Sequence, residues 1–396
     1  MLECLAGALS TALLGWIGRG RLLACVGEEK LVRELQRRRF DLHHHAMERY
    51  VCKNYEVLGK LGEGSSAEVL KVRKDGTGEV YAMKQIRKDG VDGVNDEDSL
   101  RTEISCLRKL RHRHIVNLVE VIESDKILWI VMECAEGGGL YDRIVQLDHF
   151  SERIASRIIK QVLKAVHYMH SMGVVHRDLK PENILMDSMH MEADIKIADF
   201  GLAVELGFEG YHPEESMRMK KARIIDGAYC GSPISMAPEV SLPDALYGPQ
   251  CDIWSVGCLA HELVCGHPPF TARSAEQLFE LIRKSNGPNF QDEIWAHVSK
   301  EGVDLVRLCL QKKPEDRPSA KEALNHAWFV EAPDVHMHGP HETITLRVSQ
   351  MPSRAAASTP LSEFGRRASD PQEPQGTPSA HAALRRAGTC SASFGL

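Results

Sequence analysis

Between Tyr55 and Ile86 apolar and polar positions alternate in three short runs, Tyr55 to Leu61, Val69 to Arg73 and Val80 to Ile86. That period of two predicts three strands. A glycine-rich turn joins the first pair, and Asp75-Gly76-Thr77-Gly78 joins the second to the third. On the third strand the alternation places Val80, Ala82, Lys84 and Ile86 on one face. A lysine in an apolar row needs a counter-charge or a phosphate. The period then lengthens to that of a helix at Leu100, Ile104 and Leu107, with Asn95, Asp96 and Asp98 as cap candidates. Strands return at Leu118 to Ile122 and Ile127 to Met132, before the break at Gly137-Gly138-Gly139. Beyond it Ser151 caps a long amphipathic run, Ile154, Ile158, Val162, Val166 and Met169, which stops at Gly173. A strand-rich first part and a helix-rich second part predict an α+β fold with two lobes.

Composition narrows the class. The 396 residues are 43% apolar and 26% charged, as in a soluble globular protein with a core. A formal charge of −6 argues against nucleic acid as a partner. Eleven cysteines without a C-x-x-C pair read as reduced, mostly buried thiols of a cytoplasmic protein, not a disulfide framework or zinc site. Residues 1–54 read as a leader, apolar from Leu5 to Ile17 and basic from Lys30 to Arg39. The apolar stretch is short for a bilayer span and has Glu3, not a basic residue, before it. A disordered or peripheral helical leader is favoured over a targeting segment, with membrane contact through the N-terminus left open. The consecutive His43, His44 and His45 point in different directions on any regular element, which argues against a metal site. Residues 330–396, rich in Ala, Ser, Pro and Arg, are expected to be a disordered tail.

The candidate chemistry lies between these ends. The turn Leu61-Gly62-Glu63-Gly64-Ser65-Ser66-Ala67-Glu68-Val69 offers bare backbone N–H groups suited to phosphate oxygens. Such turns also occur in plain hairpins. Lying between two strands, this one disfavours a Rossmann dinucleotide site, and no G-x-x-x-x-G-K-[ST] P-loop is present. Downstream stand His176-Arg177-Asp178-Leu179-Lys180-Pro181-Glu182-Asn183, then Asp199-Phe200-Gly201, then Ala237-Pro238-Glu239, with Tyr81-Ala82-Met83-Lys84 upstream. From Tyr55 to Phe329 this ordered set resembles the eukaryotic-type serine/threonine protein kinase family. The end, Ala323-Leu324-Asn325-His326-Ala327-Trp328-Phe329, looks most like its calcium/calmodulin-dependent and calcium-dependent group.

The resemblance implies a two-lobed protein kinase fold, with a small β-rich N-lobe over 55–133 and a larger helical C-lobe over 139–329. It implies ATP and Mg²⁺ as cofactors and protein substrates with Ser/Thr acceptors. Lys84 would hold the α- and β-phosphates and be fixed by an ion pair with Glu103. Asp199 and Asn183 would bind Mg²⁺, Asp178 would accept the substrate proton, and Lys180 would neutralise the transferring group. The glycine-rich turn, Val69, Ala82 and Leu185 would surround the nucleotide. Met132 would limit the back of the pocket, and the backbone of Glu133, Cys134 and Ala135 would bond adenine. Leu107, Leu118, His176 and Phe200 would form a stack, and Arg317 would pair with Glu239. Lys180, and Ser232 before Pro233, favour a serine/threonine over a tyrosine enzyme. Loss of Lys84, Glu103, Asp178, Asn183 or Asp199 would favour the alternative, a pseudokinase scaffold binding nucleotide or partners without turnover; all are present.

Some positions depart from the pattern. Ala67 replaces a loop glycine, at about 1–2 kcal/mol if its φ must be positive. Gly139 stands where basophilic relatives carry a glutamate, although Glu182 and Glu262 keep a residual preference for basic residues upstream of the acceptor. Ile234-Ser235 replaces an acidic-aromatic pair. Ala228 stands where many relatives carry a phosphorylated threonine, so Asp226 is a candidate fixed anion for Arg177, against Ser216 and Tyr229 as phosphosites. No EF-hand loop exists in the chain.

Overall fold

In the computed structural model, residues 44–63, 67–88, 97–206, 220–221, 231–241, 246–291 and 293–331 are described. They fall into two units. The first holds the described residues up to Glu97 together with Asn117–Cys134; the second holds Asp98–Val116 and the described residues from Ala135 onward.

The first unit is an antiparallel five-stranded sheet with one helix on it. Helix α1 covers residues 44–54, and strands β1 (Tyr55–Glu63), β2 (Ala67–Lys74), β3 (Val80–Arg87), β4 (Leu118–Glu123) and β5 (Ile127–Glu133) follow. The sheet order is β1-β2-β3-β5-β4. The connection between β2 and β3 is the predicted turn, with Gly76 and Gly78 at φ +86° and +71°, a conformation glycine adopts without a Cβ penalty. Register decides what each face carries. Lys84 lies opposite Val69 and Ile130, and Ala82 opposite Met132, so Val69, Ala82, Lys84 and Met132 share one face. Tyr55, Val72, Met83, Ile122, Trp129 and Val131 form the apolar cluster on the other, and Met47 and Val51 of α1 pack against it. Polar bonds pin this helix down. His44 Nδ1 lies 3.1 Å from Ser124 Oγ, and the Glu120 carboxylate accepts from Tyr50 (2.8 Å) and Tyr55 (2.6 Å). The histidine run therefore includes a packing residue.

The second unit begins with α2 (Glu97–Lys109). Its buried side is Glu103, Cys106 and Leu107, while Leu100 and Ile104 are only half-buried. The apolar stripe predicted there is thus shifted toward the glutamate. Asp98 lies within the helix and is not its cap; Asn95 and Asp96 lie outside the described residues. Helix α3 (Leu140–Leu147) and the long α4 (Glu152–Ser171) come next. Ser151 occupies the cap position of α4, but its hydroxyl makes no cap bond; its carbonyl accepts from Ala155 N at 2.9 Å. Gly173, at φ +72°, ends the helix as predicted.

Two short antiparallel pairs follow, β6 (Val174–Val175) with β9 (Val204–Glu205) and, between them in sequence, β7 (Ile184–Met186) with β8 (Ile195–Ile197). Helix α5 (Gln250–Cys265) is buried along its whole length, as a helix apolar all round should be. It packs on α4 and on α7 (Lys300–Cys309), with α6 (Ala275–Lys284) between them in sequence. Buried Glu152 at the start of α4 accepts from Ser299 N (3.0 Å), Trp328 Nε1 (2.7 Å) and the Ser299 hydroxyl. One carboxylate thereby joins three chain segments. The described residues hold no disulfide, and Cys106, Cys251, Cys258, Cys265 and Cys309 are buried.

Candidate active site

The chain from Val175 to Ile184 is shaped by a buried aspartate on another element. Asp252 on α5, at 0% exposure, accepts from Arg177 N (2.8 Å), His176 N (3.0 Å) and His170 Nε2 (2.9 Å). Burial alone would raise its pKa, but the His170 hydrogen bond and the charges of His170 and His176 outweigh it, so the carboxyl is held below the usual range. With its N–H fixed, Arg177 takes the left-handed conformation at φ +68°. Its guanidinium donates to the Leu202 carbonyl at 2.5 Å, and its backbone turn presents Asp178.

The buried Asp178 carboxylate is ringed by donors. Lys180 Nζ lies 2.8 Å from Oδ2, Asn183 Nδ2 donates to the same oxygen at 3.0 Å, and Ser232 N donates to Oδ1 at 2.9 Å. Asn183 also donates to the Asp178 carbonyl at 2.8 Å. Those two bonds fix which way the amide points and leave Asn183 Oδ1 buried with no hydrogen-bond partner among the described residues. A buried acceptor left unsatisfied costs about 1–3 kcal/mol, and a hard cation seeks such an oxygen.

Asp199 lies close by along the chain. Ala198 N donates to the Asn183 carbonyl at 2.9 Å where β7 and β8 pair. Asp199 is left-handed at φ +59°, with Oδ1 3.3 Å from Gly201 N. A Cβ on Gly201 would stand 3.2 Å from Asp199 Oδ1 and 3.8 Å from Glu103 Oε2, so these two carboxylates border one glycine. Among the described residues no group of three His, Cys, Asp or Glu side chains gathers to hold a metal. The donor set of one carboxylate and one amide oxygen fits Mg²⁺, which takes few protein ligands and completes its shell with phosphates and water.

The other expected residues are placed as follows. Lys84, 7% exposed on β3, and Glu103, 3% exposed on α2, belong to different units. Leu185 is buried on β7 and bridges Gly139. Leu61, Gly62 and Glu63 end β1, and Ala67, Glu68 and Val69 begin β2, with Gly62 opposite Val69 and Glu63 opposite Glu68. Lys60 bonds Glu63 (2.6 Å) and Glu68 (3.1 Å) across this end of the ladder. Ala67 is an ordinary strand residue opposite Ile86 and is not left-handed, so the conformational cost foreseen for it does not arise. Glu133 N donates to Asn117 O at 3.0 Å, so that N–H is already committed. His176 and Phe200 stack edge to face with ring centroids 5.0 Å apart. Gly64, Ser65, Ser66, Ser216, Asp226, Ala228 and Tyr229 lie outside the described residues.

Arg317 forms the expected bidentate pair with Glu239, at 2.7 and 2.8 Å. Its remaining N–H groups go to the carbonyls of Gln311 (2.7 Å), Gln250 (2.9 Å) and Lys312 (3.1 Å), and its guanidinium lies over the Trp254 ring at 5.1 Å.

The family model described as the protein kinase domain matches residues 55–329. The chain belongs to the protein kinase family. It is 37% identical over 314 residues to "Calcium/calmodulin-dependent protein kinase type 1" of Caenorhabditis briggsae, covering 79% of this chain and 83% of that one. "Calcium/calmodulin-dependent protein kinase type 1B" of Rattus norvegicus is 35% identical over 275 residues, 69% of this chain and 75% of its own. "Myosin light chain kinase A" of Dictyostelium discoideum is 36% identical over 279 residues, 70% and 89% respectively. The function is accordingly of the kinase type. Two contributors to this kinase site escaped the reading of the motifs. None of those motifs contains Asp252, and Ser232 reads only as a hydroxyl before proline. The structure makes the first the anchor of the His176-Arg177 backbone and the second a backbone donor to Asp178. Among the described residues no helix is long and apolar enough to cross a membrane.

Proposed function

We propose that this kinase transfers the γ-phosphate of ATP to serine and threonine hydroxyls of protein substrates. The observation that carries the reading is the Asp178 carboxylate, held by Lys180, Asn183 and Ser232 beside an Asn183 oxygen that lacks a partner among the described residues. In this reading the substrate hydroxyl oxygen bonds to the γ-phosphorus, the bond to the β-γ bridging oxygen breaks, and the hydroxyl proton passes to Asp178. Lys180 neutralises charge on the group in transfer, and Lys84 steadies the α- and β-phosphates. Asn183 and Asp199 would hold Mg²⁺, which supplies cancellation of phosphate charge. The left-handed turn at Arg177 keeps Asp178 in position.

The test is Asp178→Asn. Turnover on a peptide library should fall by about 10²–10⁴-fold with ATP affinity nearly unchanged, because a proton acceptor is lost and a nucleotide contact is not. Asp199→Ala should also abolish the thermal stabilisation given by Mg·ATP. Wild-type turnover in Asp178→Asn removes that residue from the mechanism. Binding of Mg·ATP by the wild type without transfer to any peptide would make the chain a scaffold.

A further inference from the structure

A basic depression lies in the second unit, apart from Asp178. Arg157, Lys160 and Lys164 recur along α4 at spacings of three and four, which puts them on one side of the helix. Arg113, from the loop after α2, faces them across an open hollow of about 250 Å³. Asp194 is the one carboxylate lining it. Arg113 approaches Asp194 Oδ2 at 2.6 Å and Arg157 approaches Oδ1 at 3.4 Å. Four cations line the hollow against one anion, and Glu192 at its edge is shared between Arg153 (2.6 Å) and Arg157 (3.6 Å), so the lining keeps a positive excess carried mainly by Lys160 and Lys164. Lys160 donates to the Phe329 carbonyl at 3.4 Å, which leaves its charge uncancelled. Lys164 is exposed and has no hydrogen-bond or ion-pair partner among the described residues. The neighbours feel this field. His112, stacked on Tyr168 with centroids 5.2 Å apart, has its pKa lowered to about 4, by burial first and then by His114, Arg113, Lys164 and Lys196.

We propose that this hollow is a docking site for an acidic, extended segment of a partner polypeptide. Its size excludes most small-molecule ligands, whose pockets run to roughly 300–1,000 Å³. From Arg157 to Lys164 the helix advances about 10 Å, too far for one phosphate to reach both ends. Carboxylates on alternate residues of an extended chain recur every ~7 Å, so two acidic side chains span the row. Asp194, clasped by two arginines, already shows the chemistry that the hollow accepts. A flat lipid surface would touch the exposed Arg113 and Lys164 but not the half-buried Asp194 between the arginines. The site goes beyond the proposed phosphoryl transfer and does not depend on it.

The test is fluorescence anisotropy of full-length protein with a labelled twelve-residue peptide of Asp, Glu and Gly, which carries no phosphoacceptor. Saturable binding at low salt is expected, unaffected by Mg·ATP and weakened roughly tenfold by Lys164→Glu. Lys164→Ala, at an exposed position, should weaken it by about threefold with the melting temperature unchanged. A basic peptide of equal length should not bind. Unchanged affinity in both variants, or loss of binding on adding Mg·ATP, would overturn the proposal. So would inorganic phosphate or anionic phospholipid vesicles binding through Lys164 in place of the peptide.

Discussion

Asp252→Asn tests whether a side chain that touches no reactant sets the geometry of the site. The native carboxylate serves three donors with two oxygens, Arg177 N on Oδ1 and His176 N with His170 on Oδ2. An amide has one oxygen. In its better orientation it keeps the Oδ2 pair and turns an NH₂ group toward Arg177 N, so that a buried donor loses its acceptor, at about 1–3 kcal/mol. The surviving bonds lose their charge assistance, about 1 kcal/mol each, since charge-assisted bonds are roughly twice as strong as neutral ones. The total is about 3–5 kcal/mol, the range found when one partner of a buried charged cluster is removed. At 0% exposure no solvent screening softens it. Arg177 then loses its backbone anchor at φ +68° and keeps only the guanidinium bond to Leu202 O of the two named here, in a conformation where a non-glycine residue is strained by about 1–3 kcal/mol. As it relaxes Asp178 moves, and displacement by an ångström costs about 10²-fold in rate.

Urea unfolding and steady-state kinetics on one preparation measure both effects. The expected outcome is a loss of about 3–5 kcal/mol with kcat down about 10²-fold and KM for ATP little changed. The native pKa of Asp252 is depressed below its ordinary 3.8. Its contribution is therefore present above pH 3.8 and fades as pH falls through the lower folded value, so the gap between variant and wild type should stay constant from about pH 5 to 8. A variant within 1 kcal/mol of wild type with full kcat would refute the argument.

Arg317→Lys should cost about 2–4 kcal/mol in urea unfolding, because three donors on a point charge replace five N–H groups that each have an acceptor. Gly266→Ala and Gly78→Ala separate two reasons for glycine. Both are left-handed, but a Cβ at Gly266 would fall 2.1 Å from Asp148 O while one at Gly78 meets nothing within 4 Å. The first should lower the melting temperature far more than the second, whose cost is about 1–2 kcal/mol. His112→Asn should reduce acid sensitivity. The folded pKa of His112 is lowered to about 4, so the stability tied to its neutral form is complete above 6.5 and is lost as pH falls toward 4. Melting temperatures at pH 7.5 and 5 should differ less in the variant.

What was legible in the sequence was local. The alternation around Lys84, the turn at Gly76 and Gly78 and the stop at Gly173 each depend on neighbours within a few residues, and each is found. The candidate residues Asp178, Asn183 and Asp199 were legible because their order follows the family pattern. What stayed hidden was carried by distant pairs. Asp252 meets His176 and Arg177 across 76 and 75 residues, and nothing near it in the chain announces a carboxylate that accepts from backbone. The packing of helix α1 on the sheet escaped because the cluster that Met47 and Val51 cover is drawn from all five strands. The basic hollow joins Arg113 to α4, so no window of sequence contains it. Side-chain bonding was also out of reach, as Ser151 shows by holding a cap position without making the cap bond.

Backbone strain connects these observations. Among the described residues the left-handed non-glycines are Asp148, Arg177 and Asp199. Two of them are the residue just before Asp178 and the candidate metal ligand itself. Each such conformation costs about 1–3 kcal/mol and persists only where surrounding bonds over-determine it. At Arg177 those bonds are visible, N–H to Asp252 and guanidinium to Leu202 O. At Asp199 the backbone just before it is tied to Asn183 and its own carboxylate receives Gly201 N. Ala67, where the sequence alone suggested strain, has none, because it pairs with Ile86 as an ordinary residue of the β2–β3 ladder. Strain is thus placed where a carboxylate must be aimed and avoided where an ordinary strand suffices. That is the pattern expected if Asp178 and Asp199 are preorganised for chemistry, and it predicts that loosening either anchor will cost rate before it costs nucleotide binding.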